Sequence, residues 1–201
     1  MKNEKQIVLF LAKNTDYNEV QLAAKLNENF PDLGSPITIP FNEKNPGAPL
    51  IVFNKGVINL TMNYNDVSFI YNRETEKEND ELMLEIVSFL EESLRFVRLG
   101  YVTTYNHTKV ERENFIENVF KDRKMITSEF QLSWYTSSLI DSVKVNVWER
   151  HLTDIMNKVE FVSIFDINTP IDEENNINSD FLSSFLKKCD KDIKDRMNDR
   201  F

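Results

Sequence analysis

Residues 80–106, DELMLEIVSFLEESLRFVRLGYVTTYN, constrain the fold more than any other stretch, because their periodicity changes with no turn signal at the change. Leu82, Ile86, Phe89, Leu90 and Leu94 recur on one side at helical spacing, while Glu81, Glu85, Glu91 and Glu92 fall mostly on the other. After Arg95 the residues become β-branched and aromatic (Val97, Tyr101, Val102, Thr103, Thr104, Tyr105), which suits a pleated surface. The stretch is a hinge between an amphipathic helix and a strand.

Upstream, residues 6–12 read as a central strand, apolar on both faces. Asp16 as N-cap with Glu19 three residues on predicts a capped helix, stopped by Pro31. Extended runs follow at residues 37–41, 50–53, 57–62 and 66–71, the last three joined by hairpin-like turns. Downstream, a short helix spans residues 110–120. Residues 130–134 and 143–147 alternate apolar with polar, as half-exposed antiparallel strands do, and residues 159–166 read as a strand buried on both faces. The last helix runs from about residue 179 to 200, with Leu182, Leu186, Cys189, Ile193 and Met197 on its inner line. The expected class is α+β: one domain over residues 1–201, about four helices on one face of a curved, mostly antiparallel sheet. Two loosely similar halves, 1–107 and 108–201, share its core. Residues 37–41 and 130–134 are candidate edge strands that could pair between subunits.

Composition narrows the function classes. Four glycines leave little for phosphate-cradling turns. A single cysteine, Cys189, excludes an internal disulfide and points to the cytoplasm, and no run approaches the ~20 apolar residues of a membrane span. The net charge of −9 disfavours general nucleic-acid binding and suits a basic partner.

Residues that could carry chemistry each have a plainer reading. Cys189 has lysines nearby but lies on the apolar line of its helix, as a core residue would. His107 and His151 close predicted strands without zinc-ligand spacing, and read as strand-end histidines. Asp166, Asn168, Asp172, Glu173 and Glu174 offer oxygens to a cation but lack the spacing and glycine of an EF-hand loop. Basic residues recur at Arg95, Arg98, Lys109 and Arg112 and at Lys121, Arg123 and Lys124. Arg95 and Arg98 with Tyr101 and Tyr105 could hold single-stranded RNA by charge and stacking. The strongest feature is acidic: eight carboxylates between Glu74 and Glu92 face one lysine, Lys77.

Arg98, Gly100, Tyr101 and Asn106 in RLGYVTTYN, with Phe165-Asp166-Ile167-Asn168 and a terminal helix ending in Phe201, resemble a sporadically distributed bacterial family of unknown function. The chain departs from that family's pattern where Val102 or Thr103 replaces a second arginine. The resemblance implies no activity and points toward a gene of mobile-element type. The favoured expectation is a non-enzymatic protein-binding module without a cofactor, engaging a basic partner through Glu81, Glu85, Glu91 and Glu92. Its concrete form is an anti-CRISPR-like inhibitor of a nucleic-acid-handling defence system. The alternatives are the RNA-binding module and an enzyme with a dispersed acidic and histidine site.

Overall fold

The computed structural model describes residues 3–13, 15–45, 47–120, 130–140, 142–154, 159–171 and 175–201. Its elements are β1 (Glu4–Leu11), α1 (Glu19–Asn29), β2 (Ile37–Thr38), β3 (Ile51–Phe53), β4 (Asn59–Met62), β5 (Asp66–Asn72), α2 (Glu76–Leu90), β6 (Phe96–Asn106), α3 (Lys109–Val119), β7 (Gln131–Ile140), β8 (Val143–Asp154), β9 (Val159–Asn168) and α4 (Ser179–Arg200). The strands form one nine-stranded sheet in the order β2-β3-β4-β5-β1-β6-β9-β8-β7, every neighbouring pair antiparallel. This is the expected α+β class.

The order conceals a duplication. A strand, a helix, a three-strand meander and a helix make the first unit (β1, α1, β3–β5, α2), and the same succession makes the second (β6, α3, β7–β9, α4). In each unit the first strand pairs with the last strand of its own meander, β1 with β5 and β6 with β9. The units meet where β1 and β6 pair antiparallel, so an approximate dyad passes between those strands. β6 therefore opens the second unit, and the boundary lies at residues 91–95 rather than after Asn106.

Successive strand residues point to opposite faces, and cross-strand partners share a face. The inner face carries Ile7, Leu9, Leu60, Phe69, Leu99, Phe165 and Ile167, all fully buried. Against it pack Leu22, Ala23 and Leu26 of α1, Met83, Ile86, Val87 and Leu90 of α2, and Leu182, Phe185, Leu186, Cys189 and Ile193 of α4. Phe115 and Ile116 of α3 close a smaller aromatic cluster with Phe161 of β9. No described helix is long and apolar enough to cross a membrane.

Local chemistry sets the boundaries. The N-cap of α1 is Asn18, whose side chain accepts from Gln21 N at 2.9 Å, rather than Asp16. α2 begins at Glu76, earlier than its apolar repeat indicates. α3 has a full capping box from Thr108 and Glu111. β7 and β8 outrun their alternating cores because their ladder continues to the pair Ile140↔Val143, next to Ser142 at φ 66°. Gly56 lies so close to the Asp32–Leu33 backbone that an added methyl would meet the carbonyl oxygen of Asp32 and reach 2.7 Å from Leu33 Cα. Gly56→Ala should therefore cost about 1–3 kcal/mol in a urea unfolding series; an unchanged midpoint would contradict this packing.

Candidate functional site

The polar centre of the molecule lies where the two units meet, at the Lys5↔Thr103 end of the β1–β6 ladder. Lys5 stands in phase with Ile7, Leu9 and Leu11 on β1, so its side chain enters the core and is fully buried. Its Nζ reaches Glu76 Oε1 at 2.8 Å, Asp80 Oδ2 at 2.9 Å and Asp190 Oδ2 at 3.3 Å, drawing carboxylates from α2 and α4 onto one ammonium. Tyr71 donates to Asp80, and Tyr101 donates to Asp190 Oδ1 at 2.6 Å. Arg73 pairs with Glu76 Oε2 at 3.0 Å, donates to Thr103 and covers the Tyr105 ring at 4.3 Å.

Burial acts to lower the Lys5 pKa, but Asp190, Asp80 and Glu76 together outweigh it and hold it above the ordinary value. Lys5 is thus a fixed cation, unsuited to act as nucleophile or base. The three carboxylates lie within 4.8 Å of one another, a spacing suited to a metal ion, and the cation among them is Lys5 itself. Above them a cleft of about 530 Å³ opens between α2 and α4, rimmed by Lys77, Glu81, Lys187 and Lys194.

A second buried chain runs under α3. Ser163 Oγ lies 2.7 Å from His107 Nε2 and 2.7 Å from His151 Nδ1. His151 Nε2 lies 2.8 Å from Glu149 Oε1, which Arg200 Nε approaches at 3.3 Å. The Ser163–His151–Glu149 order resembles a hydrolase triad, but all three residues are fully buried. Phe201 stacks on His107 at 4.5 Å and Phe115 lies 4.6 Å from His151, so a substrate has no approach to the hydroxyl in this conformation. Burial is the largest influence on His107 and brings its pKa down to about 4. Both histidines are therefore buried: His107 follows the end of β6, as its sequence context suggests, whereas His151 lies inside β8 rather than at a strand end.

The acidic run divides three ways. Glu76 and Asp80 turn inward to Lys5. Glu91 receives Ser179 N at 2.9 Å and Ser179 Oγ at 3.1 Å, capping α4. Glu74, Glu78, Glu81, Glu85 and Glu92 stay exposed. Of the four residues expected to meet a partner, Glu81, Glu85 and Glu92 are on the surface, and Glu91 has a structural task.

The four residues proposed for RNA do not share a surface. Tyr101 is fully buried on the inner face, where Tyr105 packs edge-on against Phe165. Arg98 lies on the outer face over Phe10 at 4.5 Å, and Arg95 is exposed beyond the strand. Tyr101 is thus unavailable for stacking on a base. Cys189 is a core residue whose pKa burial pushes up. Asp166 and Asn168 are strand residues that hydrogen-bond each other at 2.9 Å. Lys121, Arg123, Lys124, Asp172, Glu173 and Glu174 lie outside the described residues. Lys5, Asp190, Glu149 and Ser163 escaped sequence reasoning, although a lone lysine in phase with three apolar residues was a visible sign of the first.

Two outcomes follow from these clusters. Lys5→Ala leaves three carboxylates without their cation and should cost about 3–5 kcal/mol by urea denaturation, part of which Asp190→Asn restores in the double variant; additive losses would refute the coupling. A histidine whose folded pKa is about 4 against 6.5 when unfolded binds fewer protons folded than unfolded between those values. Its stabilisation is complete above about pH 6.5 and is lost as pH falls toward 4, by on the order of 2–3 kcal/mol. Thermal midpoints across that range should flatten in His107→Gln, and an unaltered slope would show that other groups carry it.

No family model matches the chain. No curated protein matches it either. Among solved structures, the rolling circle replication initiator protein from Geobacillus stearothermophilus aligns at 11% identity over 88% of this chain and 74% of its own, with a TM-score of 0.29. At that score the similarity supports no conclusion about fold or function.

Proposed function

We propose that this protein is a binding module that works without chemistry of its own, engaging a basic surface of a protein partner through α2. The observation that carries this reading is the row Glu74, Glu78, Glu81, Glu85 and Glu92. Glu78, Glu81 and Glu85 stand at steps of three or four residues on α2, with Ser88 continuing the line along its solvent-facing side, and the exposed Glu74 and Glu92 extend the row into the turns that flank the helix. No ion pair to any of the five occurs among the described residues.

Surface carboxylates contribute little to folding, so a row of them is available for association. Like charges on one face repel one another until a cationic surface neutralises them, and that relief favours binding and speeds encounter. Reactive groups elsewhere are committed: Lys5 is held by three carboxylates, Cys189 is buried, and Ser163 is fully buried between two histidines. In its most specific form the partner is the basic groove of a nucleic-acid-handling defence protein, with the carboxylate row standing where phosphates would lie.

Affinity capture from a bacterial lysate should retain a partner that Glu81→Lys/Glu85→Lys/Glu92→Lys loses by at least tenfold, and moderate salt should weaken the wild-type capture. Glu91 is left intact because it caps α4. Equal recovery by the folded triple variant would remove the acidic face from the proposal.

A further inference from the structure

The two edges of the sheet differ. β2 is two residues long and lies between Pro36 and Pro40, whose missing N–H groups and short span blunt it in the way natural edges are protected. β7 at the other edge has ten residues, QLSWYTSSLI, with no charge, proline or glycine. It pairs with β8 in unbroken register from Gln131↔Leu152 to Ile140↔Val143, with no bulge to twist the edge away.

The register shows which backbone groups face outward. Thr153 N donates to Phe130 O at 3.0 Å, and residues 130 and 153 continue the same register, so even-numbered residues of β7 bond to β8. By alternation, Gln131, Ser133, Tyr135, Ser137 and Leu139 aim their N–H and C=O groups at the open edge. Tyr135 is 57% exposed and Leu139 71%, and Trp148 of β8 lies beside Tyr135 at 5.6 Å between ring centres.

We infer that β7 is a dimerisation edge, pairing antiparallel with β7 of a second copy of this chain about a dyad at Tyr135. A dyad normal to the sheet keeps both helical layers on one side and pairs residues of the same face. Centred on Tyr135, it sets Ser133 opposite the partner's Ser137 and Gln131 opposite the partner's Leu139. All five outward-facing residues of each strand then enter hydrogen-bonded pairs. The two Tyr135 rings meet as a cross-strand aromatic pair, and Leu139 gains cover on the exposed face.

A second copy fits better than a foreign peptide because the edge carries no charge with which to select one. The strand opposes no like charges to itself, whereas most of the rest of this acidic surface would. The inference stands on the edge strand alone and is independent of the α2 proposal.

Sedimentation equilibrium tests it. The wild type should be dimeric. Ser133→Pro, which removes an outward N–H without touching the β8 ladder, and Tyr135→Lys, which sets two ammonium groups face to face, should each give monomers with unchanged circular dichroism. Tyr135→Cys supplies an accessible thiol beside the buried Cys189 and should cross-link under mild oxidation, whereas Leu139→Cys should not. A monomeric wild type overturns the proposal. So does a dimer that survives both folded variants, or one that cross-links through Leu139→Cys alone. If the proline variant misfolds, the cysteine pair still decides the register.

Discussion

The burial of the Lys5 ammonium is the constraint on which the rest of the structure depends. Taking one cation out of water costs several kcal/mol, and the cost is met only if carboxylates arrive at short range and stay there. Glu76 and Asp80 come from the first unit and Asp190 from the second, so the requirement is satisfied only when the two units dock. It also fixes how they dock. Asp190 reaches Lys5 in one rotation of α4, and turning that helix by one residue would bring Cys189 or Lys191 toward the ammonium instead. A polar group of this kind sets the alignment of two apolar layers that hydrophobic contact alone would leave freer to slide, a role attested for buried polar residues in some folds.

The apolar pattern made the layers legible. Helical spacing in α2 and α4 and strict alternation in β7 and β8 follow from which side of each element meets the core, and that is a local property of the chain. The centre of the sheet was legible for the same reason, since residues 6–12 lack the polar alternation of an edge. What escaped was the pairing of distant polar groups. Nothing local to Lys5 announces Asp190, and nothing near Ser163 announces the histidines just after β6 and on β8. Boundaries failed where side chains compete locally, as Asn18 displaced Asp16 as cap, and where the β7–β8 ladder runs further than the cleanest alternation of its strands.

The candidate binding face was half legible. Charge density drew attention to residues 74–92, but composition cannot separate carboxylates that face water from those that turn inward or cap a neighbouring helix. Only the position of each residue on α2 and its flanking turns does that, and it leaves Glu74, Glu78, Glu81, Glu85 and Glu92 at the surface. The arginine and tyrosine set failed for a related reason. Arg98 and Tyr101 are three apart on one strand, which is an odd number, so they point to opposite sides of the sheet.

The strand order carries a consequence for synthesis. β1 leaves the ribosome ahead of its partners β5 and β6, which lie about 60 and 90 residues further along, so a strand with five consecutive apolar residues must wait for both. During that interval its run of Ile7, Val8, Leu9, Phe10 and Leu11 is available to any other unpaired strand. The Lys5 charge at the head of the run makes premature pairing unfavourable, because no wrong neighbour supplies three carboxylates at the right height. The residue that locks the finished molecule thus also guards the nascent one.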